Sequence, residues 1–333
     1  MRRFQTVCWI MLLLTAWGCG EDGLKEGGNH PPNISVLAVV PENPEPNSIA
    51  QVRYQVVDVD GDPVTVRFEA TAGRVVQDAE GVRWETPPET GTFRITCIAS
   101  DGKDLHRRSL DVLVWQPAPG DYYPLAIGNE WVFQDERGNT VTMRIVDRIA
   151  IEHTDRSAFV LETRTSDPEV PEGVANYAYV NRYRDPETGT EWVEQYAVNA
   201  VFGSADTILF QPWLPLYRFP LIPGKSWNVQ FEALTTDGFP VGGGTAEYAV
   251  LEETALETPA GRFEHVMLVE ERFTWEIFGQ HIDTTVSRKW LAPGVGIVQL
   301  DQTQARGAQE PEHIIARLQR YSVRSGATAA PFR

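Results

Sequence analysis

The stretch FEHVMLVEERFTWEI, residues 263–277, carries the pattern that decides the fold. Apolar or aromatic side chains occupy most odd positions, including Met267, Phe273 and Trp275, whereas glutamate, arginine and threonine occupy most even ones. A period of two places successive side chains on opposite faces of a β-strand, so the odd face is expected to be buried. We interpret His265 on this face as a core residue. The stretch therefore predicts one strand of an antiparallel sheet.

The same alternation recurs elsewhere between residues 122 and 323. Tyr177, Tyr179 and Tyr183 share one face, and residues 281–290 alternate again. We find no pattern typical of a long amphipathic helix. The region is therefore predicted to be an antiparallel sheet of ten or more strands that must curl, or close into a barrel, to hide its edges.

The preceding region is also rich in β-forming residues. It has seven short runs separated by turn signals: 34–40, 49–57, 64–71, 73–77, 81–85, 92–99 and 109–115. Seven strands at this spacing are typical of an Ig-like β-sandwich. Alternation in the sixth run places Cys97 on the core face, as a small buried hydrophobe. The predicted fold is all-β: a sandwich over 34–115, a hinge over 116–121, an antiparallel domain over 122–323 and a disordered tail over 324–333.

Three stretches of the first domain are similar to bacterial Ig-like, cadherin-like and polycystic-kidney-disease-type modules. They are NHPPNISV (29–36), DVDGDPVTVRFEA (58–70) and TPPETGTFRITCIASDGK (86–103). The resemblance implies a spacer or adhesion unit. In the second domain, YPLAIGNEW (123–131) and FPLIPGKSW (219–227) share Pro-Leu-x-x-Gly-x-x-Trp. This element resembles one found in uncharacterised bacterial secreted proteins and lipoproteins, which implies an architecture without an activity.

The N-terminus has the features of an export signal. Arg2 and Arg3 precede an apolar run over 7–16 that is too short to span a bilayer, so residues 1–18 are predicted to be a signal peptide. Ala16-Trp17-Gly18-Cys19 resembles the bacterial lipobox, which implies that Cys19 is lipidated and begins the mature chain. Plain secretion and an uncleaved anchor are the alternatives. Residues 19–33 are predicted to be a flexible tether, and Gly20 after the cysteine implies an outer-membrane lipoprotein.

The charge of the chain restricts its partners. The formal net charge is −17 and becomes −19 once Arg2 and Arg3 leave with the signal peptide. Nucleic acid is therefore excluded, since backbone binding needs clustered lysine and arginine. The expected partners are the membrane, through the lipid, and another envelope protein, a glycan or an apolar ligand.

Two predicted turns of the sandwich carry a candidate calcium site. Strand order brings both turns to the end that faces the tether, where several carboxylates without a basic partner would repel each other or hold a hard cation. The alternative is that these aspartates cap solvated turns. The candidate ligands are Asp58, Asp60, Asp62, Asp101 and Asp104.

The sequence contains no recognised catalytic motif. It lacks a Gly-x-Ser-x-Gly elbow, a His-Glu-x-x-His helix, a Cys-x-x-Cys pair and a phosphate-binding glycine loop. We predict no catalytic residue and, calcium apart, no cofactor. The paired carboxylates of a glycosidase remain an alternative, because their pairing is spatial.

The segment TILFQPWLPLYRFPLIPG, residues 207–224, combines four prolines with several aromatic residues. We predict that it folds inward and plugs one end of the sheet; if it is exposed, Phe210, Trp213 and Tyr217 would contact a ligand. The sequence favours a non-catalytic binding module in which the sandwich is a spacer. The alternatives are a carrier of an apolar ligand in the curved domain and a protein that binds or hydrolyses glycans.

Overall fold

The structure is a computed structural model, and it describes residues 28–151, 154, 156–171, 173–199, 207–277, 280–307 and 310–324. All regular elements in these ranges are β-strands, which confirms the all-β fold class. Buried apolar residues form two separate cores, one in each half of the chain. The predicted signal peptide, Cys19 and most of the predicted tether and tail lie outside the described residues.

The N-terminal core lies between two facing sheets, which we call the sandwich. One sheet has the order β1-β2-β5-β4 and the other β3-β6-β7. The seven predicted runs coincide with its strands, and Trp84, Ile95 and Cys97 are fully buried between the sheets because they occupy inward positions. The strands are β1 (Asn33–Val40), β2 (Ile49–Val57), β3 (Thr65–Ala70), β4 (Arg74–Asp78), β5 (Gly81–Glu85), β6 (Gly91–Ser100) and β7 (Leu105–Val114).

The remaining strands form one closed antiparallel barrel of twelve strands. Successive strands pair as neighbours, and the barrel closes where β19 pairs with β8, Glu130 lying opposite Ser322. Among the described strands, closure leaves this sheet without an edge strand, which confirms the predicted curling. The strands are β8 (Glu130–Asp135), β9 (Thr140–Ala150), β10 (Ser157–Thr165), β11 (Asn176–Arg184), β12 (Glu191–Asn199), β13 (Thr207–Phe219), β14 (Ser226–Thr235), β15 (Pro240–Thr258), β16 (Gly261–Ile277), β17 (Gln280–Ala292), β18 (Gly296–Arg306) and β19 (Glu312–Ser322).

The two Pro-Leu-x-x-Gly-x-x-Trp elements form the same turn before β8 and before β14. In each, the glycine has a positive φ and its N–H donates to the neighbouring strand, Gly128 to Ile145 O on β9 at 2.8 Å and Gly224 to Val250 O on β15 at 2.8 Å. Each tryptophan then enters the following strand, and its indole N–H donates to a backbone carbonyl, Trp131 to Val295 O at 2.6 Å and Trp227 to Pro215 O at 2.5 Å. The sequence echo is therefore also a structural one.

The predicted plug at 207–224 is wrong, because residues 207–219 form wall strand β13. β13 pairs with β14 only from Ile208 to Gln211, so Pro212 and Pro215 lie where no ladder hydrogen bond to β14 is required. The core of the barrel also receives side chains from outside its strands: Tyr122 and Leu125, before β8, and Leu221, after β13.

The interpretation of His265 as a core residue is also wrong. Register shifts in the β15–β16 ladder break the alternation, and His265 adopts a positive φ of 56°. Its ring is exposed and lies 2.6 Å from Glu253 (Nδ1 to Oε1). Its carbonyl accepts a hydrogen bond from the hydroxyl of Tyr122 at 2.8 Å.

Candidate functional site

The sandwich and the barrel enclose a cleft of about 910 Å³, which we call the interdomain cleft. The sandwich supplies one wall, including Asn43 and Ile49, and the barrel supplies the other, including Arg184 and Phe219. The floor is the predicted hinge, residues 116–121, whose prolines and glycine keep it out of either sheet. Clefts between domains are a common place for ligands because both walls can contribute contacts.

Polar contacts beside the cleft hold the two domains together. The carboxylate of Glu42, in the sandwich, pairs with Arg218 and lies 3.5 Å from Nζ of Lys225, both in the barrel domain. Arg53 Nη1 donates to Glu187 O across the same gap at 2.6 Å. These contacts set the width of the cleft.

Four of the five charged residues that line the cleft pair with one another, and the fifth is Glu45. Arg182 donates to Asp121 Oδ1 at 2.6 Å and to the Tyr123 carbonyl at 2.8 Å, and it also pairs with Glu191. Its guanidinium carbon lies 5.3 Å from the ring centre of Phe219. Arg184 is the more exposed arginine and lies 3.3 Å from Glu191. Asp121 and Glu191 therefore both face arginine, an arrangement suited to holding a polar ligand in place.

A small apolar cavity lies in the barrel beside the segment that precedes β8. It holds about 20 Å³ and is lined by Tyr123, Leu125, Trp131, Phe133 and other apolar residues. That volume suits roughly one water-sized sphere. The cavity does not supply the continuous apolar lumen that a carrier needs.

The five aspartates proposed for calcium do meet at one end of the sandwich, which we call the tether end. All five accept hydrogen bonds from the protein. Asn29 Nδ2 donates to Asp101 and Asp104, each at 2.8 Å, and the His30 N–H donates to Asp60 at 2.6 Å. Asp58 Oδ1 accepts the N–H groups of Asp60 and Asp62 at 2.9 and 3.2 Å, and Lys103 Nζ lies 2.8 Å from Asp62.

The sequence reasoning was wrong in one respect, because it assumed that these carboxylates have no basic partner. Lys103 supplies one. Among the described residues no group of three or more His, Cys, Asp or Glu side chains is arranged to hold a metal ion. Two buried oxygens, Asn29 Oδ1 and Asp58 Oδ2, nevertheless accept no hydrogen bond in the structure. Calcium binding by Asp58, Asp60, Asp62, Asp101 and Asp104 stays a prediction.

Hydrogen bonds also shift the acidity of the tether end. The backbone N–H of Asp104, followed by the Asn29 amide, lowers the pKa of Asp101 to about 2. The backbone and ring of His30 lower the pKa of Asp60. Both carboxylates are therefore ionised at neutral pH.

The three candidate ligand contacts on β13 separate in the structure. Phe210 and Tyr217 are 4% and 2% exposed and belong to the barrel core. Trp213 is half-buried and faces away from core residue Leu214, its neighbour along the strand. Only Trp213 remains available at the surface.

Trp213 belongs to a group that sequence reasoning missed, which we call the arginine cage. The guanidinium carbon of Arg156 lies 4.0 Å from the ring centre of Tyr183 and 4.5 Å from that of Trp213. Tyr196 packs edge-on against Trp213 at 5.3 Å between ring centres, and Arg156 Nη1 donates to Glu194 Oε2 at 2.9 Å. Burial raises the pKa of Glu194. These side chains are contributed by three strands and one connecting segment, so no sequence spacing reveals them.

Comparisons with known proteins place the chain near two structures of low similarity. No family model matches it, and no curated protein matches it. A "putative lipoprotein" from Parabacteroides distasonis aligns at 11% identity and a TM-score of 0.36, over 62% of this chain and 100% of that one. A "putative exported protein with YmcC-like fold" from Bacteroides fragilis aligns at 15% identity and a TM-score of 0.35, over 61% and 99%. Across the part of the chain that is described, no helix is long and apolar enough to cross a membrane.

Proposed function

We propose that the protein is an exported envelope protein, anchored through lipid on Cys19, and that it binds a ligand without catalysis in the interdomain cleft. The observation that carries the proposal is the 910 Å³ cleft, whose walls come from both domains. The described N-terminal residues, Asn29 and His30, pack at the tether end, whereas Glu42 contacts the barrel at the other end. A ten-residue strand such as β6 spans about 33 Å, so the sandwich would hold the cleft that far from its anchor.

The pairing of two cleft carboxylates, Asp121 and Glu191, supports a binding role over catalysis. A glycosidase needs one carboxylic acid that donates a proton and one free carboxylate. Asp121 and Glu191 instead both pair with Arg182, so neither is a free carboxylate. A glycan remains a suitable ligand, since the cleft combines paired charges with aromatic Phe219.

A single reporter cysteine can test the cleft. Cys97 is buried, and burial raises the pKa of its thiol to about 11, so it will not compete for a dye. In a Cys19→Ser chain without its signal peptide, an environment-sensitive dye is attached to Ile49→Cys, in the cleft, or to Val59→Cys, in the 58–62 turn at the tether end. The two positions are 64% and 78% exposed.

The dyes are titrated with soluble peptidoglycan fragments, neutral oligosaccharides and a fatty acid. We expect a saturable response to one of these probes from the dye at position 49 and none from the dye at position 59. Equal responses at both positions, or none at position 49, would contradict a ligand site in the cleft. The anchor is tested separately, since Cys19→Ser should move the full chain out of the membrane fraction.

The unpartnered oxygens of Asn29 and Asp58 favour calcium binding at the tether end as a second function. Both are of the oxygen type that Ca²⁺ prefers. Calcium in millimolar excess should raise the melting temperature of the wild type and of the matched Glu89→Gln variant, but not that of Asp58→Asn. A wild-type melting temperature that does not change when a chelator is added would rule this site out.

A further inference from the structure

The arginine cage lies on the outer side of the barrel, and none of its residues lines the interdomain cleft. Glu194 is adjacent to Val193, and Trp213 to Leu214; both of these neighbours are buried in the core, so the two cage side chains point the opposite way. Tyr183 is on the neighbouring strand β11, opposite Trp192. The cage is thus built by β11, β12 and β13, and Arg156 enters it from the connection that precedes β10.

The geometry matches the chemistry of a guanidinium group. Two aromatic rings lie within 4.5 Å of the guanidinium carbon, close enough for cation–π attraction, and the carboxylate of Glu194 accepts one of its N–H groups. A planar guanidinium can stack on aromatic rings and donate in its plane at the same time, which a lysine ammonium cannot do. The Glu194 carboxylate is mostly buried, so a cation has to stay beside it or its ionised form loses stability.

The cation that fills the cage is attached in a way that allows its release. Arg156 precedes the first residue of β10, and its side chain takes no part in the strand ladder. Its carbonyl accepts the N–H of Ile151 at 3.0 Å and its own N–H donates to Thr154 Oγ1 at 3.1 Å, so the backbone stays fixed when the side chain rotates. Only the contacts within the cage are lost.

We propose that Tyr183, Glu194, Tyr196 and Trp213 form a guanidinium-binding site that Arg156 occupies as an internal ligand, and that an arginine side chain of a cationic protein partner replaces it. The net charge of −17 favours such a partner, because it attracts basic surfaces. An arginine on the same chain competes at a high effective concentration, so the wild type binds an external arginine more weakly than a variant without Arg156. None of the residues of this site lines the cleft.

The test uses the full chain carrying Arg156→Ala and labelled with fluorotryptophan, and it follows the fluorine NMR signal of Trp213. That signal is assigned by its loss in Trp213→Phe. N-acetyl-arginine methylamide is the probe, and N-acetyl-lysine methylamide at equal ionic strength is its control. We expect a saturable shift of the Trp213 signal with the arginine probe and at least tenfold weaker binding of the lysine probe. Wild type and Arg67→Ala, a variant of an exposed sandwich arginine, should bind the arginine probe at least tenfold more weakly than Arg156→Ala.

Further variants separate this site from nonspecific binding. Adding Glu194→Gln to Arg156→Ala should abolish the response to the arginine probe. In Arg156→Ala alone, the affinity for the arginine probe should rise with pH as Glu194 loses its proton. An unresponsive Trp213 signal in a folded Arg156→Ala chain, or equal binding of the two probes, overturns the proposal. If Arg156→Ala does not fold, Arg156→Gln replaces it. If neither variant folds, the wild type is titrated to saturation with the arginine peptide acetyl-Gly-Arg-Gly-amide. A Trp213 signal that does not change in this titration also overturns the proposal.

Discussion

Asp101 shows how backbone geometry sets the acidity of one surface carboxylate. Its Oδ1 accepts the N–H groups of Lys103 and Asp104 at 2.7 and 2.6 Å, and its Oδ2 accepts from Asn29. These donors favour the ionised form, and they lower the pKa from 3.8 to about 2. Because the unfolded chain lacks these donors, the lowered pKa makes the stability of the folded protein depend on pH in the acid range.

The sign of that link follows from the direction of the shift. A lowered pKa in the folded state contributes stability above the unfolded value of 3.8, and this contribution is lost as the pH falls toward 2. We expect the melting temperature of Asp101→Asn to fall less than that of wild type between about pH 4 and pH 2. A carbon-detected titration of Asp101 with a midpoint near 3.8 would contradict the prediction.

Gly244 is a residue whose missing side chain is required by the barrel. A Cβ at this position would lie 1.8 Å from the carbonyl oxygen of Thr274 on the neighbouring strand. Gly244→Ala should therefore destabilise the protein by about 1–3 kcal/mol, since the backbone of β15 or β16 must move. Gly28→Ala, where no atom lies within 4 Å, is the control and should change stability by less than about 0.5 kcal/mol. Urea unfolding measures both.

At the scale of elements, the two Pro-Leu-x-x-Gly-x-x-Trp turns make the same kinds of hydrogen bond, but their tryptophans are buried to different depths. Trp131 is buried, whereas Trp227 is half-buried and stacks on Tyr248 with 5.5 Å between ring centres. Each indole N–H satisfies a carbonyl that would otherwise lack this donor. The more deeply buried pair should cost more to break.

Phenylalanine substitutions can rank the two turns. Trp131→Phe should cost about 2–3 kcal/mol, because it leaves the Val295 carbonyl without its buried donor. Trp227→Phe should cost about 1–2 kcal/mol, because water can reach that site. Free energies of unfolding from urea titrations show which substitution costs more stability. A larger loss for Trp227→Phe than for Trp131→Phe would show that burial does not determine the cost.

The strands were predictable where side-chain periodicity alone determines them. The seven runs of the sandwich and the alternation in 263–277 are local signals, and the structure has strands at each. Three features depend on contacts that no local pattern contains. The prolines of β13 are tolerated because pairing with β14 ends at Gln211, His265 turns outward at a ladder irregularity, and Arg156 meets Trp213 only after the barrel has formed.

The same reasoning explains which site residues were foreseen. The five aspartates lie on two turns that strand order brings together, so their meeting could be predicted, but Lys103 and Asn29 reach them through side-chain conformations that sequence does not specify. For β13, sequence alone could not say which aromatic side chain faces the core. Phe210 and Tyr217 do, and Trp213 does not.

At the scale of the whole molecule, Glu42 links the sandwich to the barrel. Its two partners, Arg218 and Lys225, are partly exposed, so their net contribution to unfolding free energy is on the order of 0–1 kcal/mol. Glu42→Gln should therefore leave the melting temperature nearly unchanged while it loosens the interface. Glu80→Gln, which breaks a pair with Arg83 inside the sandwich, is the matched control.

Limited proteolysis at the hinge measures that loosening. We expect faster cleavage within residues 116–121 in Glu42→Gln than in wild type or Glu80→Gln, since a wider cleft gives the protease better access. Identical cleavage rates in all three proteins would show that other contacts hold the two domains together.

The pairing of β8 with β19 imposes an order on assembly. The sandwich has all its strands by Val114, whereas the barrel lacks its last partner until Glu312–Ser322 has emerged during synthesis. Until then β8 and β18 both present open hydrogen-bonding edges, which are templates for aggregation. A chaperone that shields those two edges while the C-terminal segment emerges would therefore raise the yield of folded protein, and a chain cut before β19 should form oligomers with its sandwich intact.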